Sequence, residues 1–197
     1  MIKGLTEKLL ILLLIILFLP IWGVLYVIIK LTSPGPFIFK QKRLGQNKKP
    51  FTIYKIRTMI KEAENQRMNY AKFNEADGPL FKIKNDPRLT IIGRFLSKSG
   101  IDETPQLINI IKGEMALVGP RPFPIYEADK IPKKYNKRFS ALPGMTSISI
   151  SKGAHQLSFD DWMRQDVDYI EKKSAWMDFI ILIDTIRLIM NHFNQRS

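Results

Sequence analysis

The chain has 197 residues, a length that suits one compact domain with an appended segment. It has no cysteine, which excludes a disulfide framework, a thiol nucleophile and a zinc–thiolate site, and its two histidines, His155 and His192, lie too far apart in sequence to suggest a histidine-rich metal site. A formal net charge of +13 calls for a polyanionic partner: nucleic acid, an anionic membrane face or phosphorylated substrates.

Leu9 to Leu31 is almost wholly apolar and about the length of one membrane span. Lys3 and Lys8 precede it and no small-residue cleavage site follows, so it does not read as a signal peptide. Pro20 stands mid-run, removing a backbone donor and crowding the preceding turn, so a kink or break is expected there. Each half is then about 15 Å long at the helical rise, half the thickness of a hydrocarbon core. Lys30, Lys40, Lys42, Arg43, Lys48 and Lys49 follow the run, so basic residues flank it on both sides. Basic flanks favour the cytoplasmic face. A helix that dips in and returns keeps both flanks there; a kinked single span does not, and this pattern leaves the two open beside a buried helix of a soluble protein.

Thr32 to Pro36 breaks the chain. Phe37 to Lys42 and Pro50 to Arg57 are short β-like runs separated by Leu44 to Asn47, which predicts a hairpin. Lys61 to Asn74 reads as an exposed helix ended by Asp77-Gly78-Pro79, and Asn85-Asp86-Pro87 marks a further turn. Thr104 suits an N-cap, Pro105 a first helical position and Gly113 a C-terminal stop, which predicts a helix from Thr104 to Lys112. Pro120-Arg121-Pro122 is expected to be a rigid extended loop. Ser174 can cap a last helix from about Ala175 to about Phe193. Its polar stripe, Asp184, Arg187 and Asn191, is narrow, and so wide an apolar arc means either deep burial or contact with a membrane surface, with Trp176 as an interfacial anchor.

Asp102 and Glu103 immediately precede the helix expected at Thr104. The free amides and dipole of a helix start hold a carboxylate ionised and favour an incoming phosphate. Adjacent carboxylates can divide labour, one attacking phosphorus and the other helping to hold a divalent metal, although acidic residues at helix starts are also ordinary caps. Lys55, Arg57, Arg88, Arg94 and Arg121 are candidates to bind phosphate. Among them Arg121 stands out, because flanking prolines fix its backbone and lower the ordering cost of binding. Gly45, Gly93, Gly113 and Gly119 compose neither a P-loop nor a dinucleotide fingerprint, and there is no helix-turn-helix or finger signature for nucleic-acid binding.

Ser33 to Gly45, Tyr54 to Met59, Asp86 to Arg94, Ile101 to Asn109, Lys112 to Pro122 and Asp166 to Tyr169 resemble, in order, the motifs of the bacterial sugar transferase family, the monotopic phosphoglycosyl transferases. The resemblance implies an α+β, mostly helical fold. Residues 1–32 would form a re-entrant membrane helix broken at Pro20. Residues 33–197 would form a membrane-associated catalytic domain with a small β-hairpin and interfacial amphipathic helices. It implies attack by Asp102 on the β-phosphate of a UDP-sugar, release of UMP, a covalent aspartyl phosphosugar and transfer to polyprenyl (undecaprenyl) phosphate. Glu103 would be the acidic partner, and Mg²⁺ would be held by Glu103 or Asp102. Arg121 and Arg57 would handle phosphate. The setting would be the cytoplasmic face of a bacterial inner membrane, with the lipid bilayer and no nucleic acid as partner, at the first membrane step of a surface glycan pathway. The sequence assigns no oligomeric state.

Departures from the family pattern are Ser97 where arginine is usual (with Lys98 beside it), Ile56, Glu114, Ala116, and Ser147-Ile148 where a glycine–tryptophan pair is usual. The last points to Met145 to Gly153 as a segment that chooses the sugar. The rival expectations are a non-catalytic membrane protein of the same fold binding lipid phosphates, and a membrane-tethered nucleic-acid binder suggested only by charge.

Overall fold

The computed structural model describes residues 2–153 and 157–194, the side chains of 2–6 and 192–194 excepted; His155 lies outside the described residues. Within them the protein is α+β and mostly helical, with two two-stranded sheets. Internal contacts divide the chain into two units: residues 1–40, 53–75 and 82–113, and residues 41–52, 76–81 and 114–197.

The first unit opens with α1 (Ile2–Thr32), 31 residues that remain helical through Pro20. The helix is thus not interrupted at that proline. From Glu7 to Thr32 the helix is long and apolar enough to cross a membrane. Its outer faces are bare: Leu9, Leu13, Ile16, Leu17, Val24 and Val27 are exposed. Its C-terminal half is docked, with Trp22, Leu25 and Ile29 packed in one cluster with Phe37, Ile56, Ile92, Leu96 and Ile101. α1 also packs on α3 (Leu107–Ile111).

The predicted hairpin is β1 (Ile38–Leu44) and β2 (Pro50–Ile56), joined by a 3-10 turn at Gln46–Lys48 in which Asn47 and Lys48 take positive φ. The division between the units runs through this hairpin. The exposed helix expected over Lys61 to Asn74 is instead a run of turns and a 3-10 helix, Arg67–Phe73. α2 (Ile91–Ser99) is capped by Thr90, whose side chain accepts from the Gly93 amide at 2.9 Å. Gly93 lies so close to the end of β2 that a Cβ there would sit 1.7 Å from the Thr58 carbonyl oxygen.

The helix predicted from Thr104 starts earlier and with a different pitch. A 3-10 helix spans Ile101–Gln106, entered from Gly100 at φ +72°, and only then does α3 begin. Pro105 explains the tighter turn. It has no amide to give to the Ile101 carbonyl, and the Thr104 hydroxyl donates to that oxygen instead, at 2.8 Å. Thr104 is thus an interior residue and not a cap. Gly113, at φ +73°, ends α3 as expected.

The second unit contains a parallel pair that sequence periodicity did not signal: β3 (Ala116–Val118) lies beside β4 (Gly144–Thr146), with Ala116 opposite Gly144 and Val118 opposite Thr146. Between them come α4 (Ile125–Ala128) and a 3-10 helix, Lys133–Ser140. α5 (Ile148–Ser151), α6 (Phe159–Lys172) and α7 (Ala175–Asn194) follow. α6 buries Phe159, Met163, Asp166 and Tyr169, which recur along one face. Phe159 and Met163 join Leu44, Phe123, Tyr135 and Phe139 in the core of this unit. Ser174 caps α7 as predicted, accepting from the Met177 amide. The wide apolar arc of α7 is not deeply buried: Ile181 is enclosed, but Trp176, Phe179, Ile180, Ile186 and Met190 are exposed.

Candidate functional site

Asp102 and Glu103 occupy the first turn of the 3-10 helix Ile101–Gln106, which leads into α3, and do not immediately precede an α-helix starting at Thr104. The αL turn at Gly100 carries the chain out of α2, and the Glu103 amide donates back to the Gly100 carbonyl at 3.1 Å. Ile101 is packed into the apolar cluster below. Asp102 is buried and Glu103 half-buried. Lys55 of β2 reaches across to Glu103, Nζ to Oε1 at 2.6 Å, with both side chains largely shielded from solvent. The strand and the helix are further tied by Asn109, which accepts from the Tyr54 amide at 3.2 Å, and by Lys112, whose ammonium donates to the Tyr54 hydroxyl at 2.8 Å.

The same helix is bonded to the apolar N-terminal helix. The Trp22 indole N–H of α1 donates to Thr104 Oγ1 at 2.9 Å. Two residues after Asp102, the backbone that carries the carboxylate pair is therefore fixed to the docked half of α1.

The basic candidates differ in how they are used. Lys55 is paired with Glu103. Arg57 is buried, and its guanidinium donates to the carbonyls of Ser33 (2.7 Å) and Pro34, so it holds the loop that follows α1; burial lowers its pKa. Arg88 is buried in a two-pronged pair with Asp86 (2.6 and 2.9 Å) and donates to the Ala63 carbonyl at 3.0 Å. Burial alone would raise the Asp86 pKa, but the hydrogen bonds and charge of Arg88 together bring it below the usual carboxylate range. Arg94 is exposed on α2, as are Ser97 and Lys98. Arg121 belongs to the second unit.

There the loop Pro120-Arg121-Pro122 is held at three successive carbonyls. Pro120 accepts from the Gly144 amide at 3.0 Å, Arg121 from Arg138 Nη2 at 2.7 Å, and Pro122 from Arg43. Ser147, singled out as a departure, is a buried cap: it accepts from the Ile150 amide at 3.1 Å. Ile148, Ser151 and Lys152 line a cavity of about 320 Å³ with Trp176, Met177 and Ile180 of α7. Tyr169 donates to Asp178 at 2.6 Å, and burial pushes its hydroxyl far above the usual tyrosine range.

Comparison with known proteins gives a family match over residues 1–192, to the bacterial sugar transferases. The chain belongs to the bacterial sugar transferase family. It is 38% identical over 157 residues to the galactosyl transferase CpsE of Streptococcus agalactiae, covering 79% of this chain and 35% of that one. It is 34% identical over 164 residues to the undecaprenyl-phosphate galactose phosphotransferase of Salmonella typhimurium, covering 79% and 34%. It is 35% identical over 187 residues to the UDP-glucose:undecaprenyl-phosphate glucose-1-phosphate transferase of Caulobacter vibrioides, covering 90% and 66%. The chain thus spans about a third of the length of the first two of these and 66% of the third. What sequence reasoning missed are Trp22, Arg43 and Arg138. The first is hidden in an apolar run and the other two in Lys/Arg-rich stretches, where nothing local separates a buried side chain from a surface one.

Proposed function

We propose that the protein transfers a sugar 1-phosphate from a UDP-sugar to polyprenyl phosphate at the cytoplasmic face of a bacterial inner membrane. The observation that carries this reading is the Trp22–Thr104 bond. It ties the carboxylate pair to an apolar helix whose outer faces are bare, which suits an acceptor phosphate that arrives on a lipid while the donor arrives from water. The relatives named as undecaprenyl-phosphate sugar phosphotransferases support it.

In this mechanism an Asp102 carboxylate oxygen attacks the β-phosphorus of the donor. The bridging bond between the two phosphates breaks and UMP leaves with its electron pair, so the sugar phosphate is held as an acyl phosphate on Asp102. A polyprenyl phosphate oxygen then attacks the same phosphorus, the bond to Asp102 breaks, and the carboxylate is restored. Splitting the transfer in two spares the protein from holding two like-charged phosphates together. Lys55 keeps Glu103 oriented beside the nucleophile, and Arg121 is the candidate for the donor's phosphates.

The donor set at the pair is hard carboxylate oxygen, which fits Mg²⁺. Among the described residues no group of three or more His, Asp or Glu could hold a metal by itself, and two carboxylates completed by substrate phosphates and water is the usual magnesium arrangement. Asp102 and Glu103 would hold the ion, which when bound would neutralise charge on the diphosphate.

For α1 we favour a re-entrant course. Pro20 lacks an amide donor, basic residues flank both ends, and the docked half, Trp22 to Ile29, stays with the first unit. The exposed apolar stripe of α7 suits contact with the membrane surface. The test is release of UMP from a panel of UDP-sugars given undecaprenyl phosphate and magnesium. Release with at least one donor, abolished by Asp102→Asn, is expected; a folded protein that releases none from any donor would leave the fold without the activity.

A further inference from the structure

The loop Pro120-Arg121-Pro122 carries one side chain of interest, and the second unit surrounds its backbone with donors. Three consecutive carbonyls accept from three separate parts of that unit: Pro120 from the Gly144 amide of β4, Arg121 from Arg138 of the 3-10 helix Lys133–Ser140, and Pro122 from Arg43 of β1. The next two carbonyls are also taken. Phe123 accepts from the Leu44 amide at 3.3 Å, and Pro124 from the amides of Glu127 and Ala128. The prolines already fix φ at 120 and 122. Little backbone freedom is left at Arg121, the residue between them.

Arg138 is the central clamp. It is 3% exposed, and its Nε and Nη2 both donate to Asp166 Oδ2 of α6, at 3.1 and 2.8 Å. The same Nη2 reaches the Arg121 carbonyl. The guanidinium lies over the rings of Phe123 (4.7 Å) and Phe139 (5.1 Å), so its plane is fixed by packing. Asp166 is fully enclosed, at 1% exposure. A buried ion pair contributes little net stability against an apolar pair of the same volume. What a planar guanidinium adds is a second, directed donor while it stays paired with its carboxylate.

We infer that Arg138, held by Asp166, is a positioning residue for Arg121, presenting that side chain to the diphosphate of a nucleoside-diphosphate donor. This rests on the reading of Arg121 as a phosphate-binding residue. Lysine at 138 keeps the charge opposite Asp166, but its single ammonium cannot reproduce the fork that serves carboxylate and carbonyl together. Loss of one directed hydrogen bond of this kind weakens binding by about tenfold.

The test is a double-mutant cycle read by binding of UDP, the part common to every UDP-sugar, to the full chain in detergent or lipid discs. Arg138→Lys is expected to weaken UDP binding by about tenfold and to raise KM for the sugar nucleotide, leaving KM for polyprenyl phosphate unchanged. In an Arg121→Ala background the same change is expected to do nothing further, because there is no side chain left to position. If Arg138→Lys weakens binding equally in both backgrounds, the pair is merely structural and the inference is overturned. If Arg121→Ala alone leaves UDP binding intact, the reading of Arg121 fails and the inference falls with it. Should Arg138→Lys lose its cooperative thermal transition, Arg43→Lys carries the same cycle at the neighbouring carbonyl: non-additivity with Arg121→Ala supports the clamp, and additivity rejects it.

Discussion

Removing Lys55 is the most direct probe of how the carboxylate pair is held. Lys55 Nζ lies 2.6 Å from Glu103 Oε1, and the two side chains are only 15% and 18% exposed. Shielding of that degree takes the pair out of the class of surface ion pairs that contribute almost nothing. A charged hydrogen bond of this geometry contributes about 2 kcal/mol, and in a chain of this size that is a fall of about 4–8 °C in Tm for Lys55→Met. Both residues make further contacts. A cycle with Glu103→Gln, not a single variant, therefore isolates the pair. Thermal unfolding of the four proteins in one detergent should show the double variant no less stable than Glu103→Gln alone, a coupling of about 2 kcal/mol. If Lys55 acts through Glu103 and not on the donor's phosphates, turnover in the UMP assay should fall in Lys55→Met with little change in KM for the donor. A coupling below about 0.5 kcal/mol would refute the claim that this strand lysine holds the acidic partner.

Gly93→Ala puts a methyl group 1.7 Å from the Thr58 carbonyl and should lower stability by about 3 kcal/mol, whereas Gly23→Ala, with nothing within 4 Å, should leave Tm unchanged or slightly raised. Because Arg88 depresses the Asp86 pKa in the folded protein, the stability it contributes is present above about pH 4 and is lost as pH falls through the folded value. Tm should therefore fall more steeply between pH 5 and pH 3 (about one unit either side of the free value) in the wild type than in Asp86→Asn. Exchanging Met145 to Gly153 for the matching segment of a relative that uses another sugar should shift donor preference; an active chimera with unchanged preference would reject that role for the segment.

The elements most legible in the sequence were those with local chemistry to announce them. Ser174 capping α7, Gly113 ending α3 and the two β-like runs of the hairpin all needed only neighbouring residues. The start of the helix carrying Asp102 was misjudged because Thr104-Pro105 fits an α-helical N-terminus equally well. The missing Pro105 amide and the Thr104 hydroxyl instead produce a 3-10 turn that takes in the acidic pair. The β3–β4 pair could not be seen, since three-residue strands separated by 25 residues have no periodicity to detect. Charge was misleading in a different way. Arg57 and Arg88 read as candidates to bind phosphate and Arg138 drew no attention in a basic stretch, yet each is buried on a carbonyl or a carboxylate. Burial of an arginine follows from tertiary neighbours that the local sequence does not name.

The central claim is that the sugar phosphate passes through Asp102. The measurement that tests it most directly is incubation of the protein with a UDP-sugar labelled in its sugar and with magnesium, in the absence of polyprenyl phosphate. The account predicts one equivalent of UMP per active protein and label recovered on the peptide containing Asp102, chased off when polyprenyl phosphate is added, and absent in Asp102→Asn. UMP that appears only when both substrates are present, with no label on the protein, would mean direct displacement and contradict it.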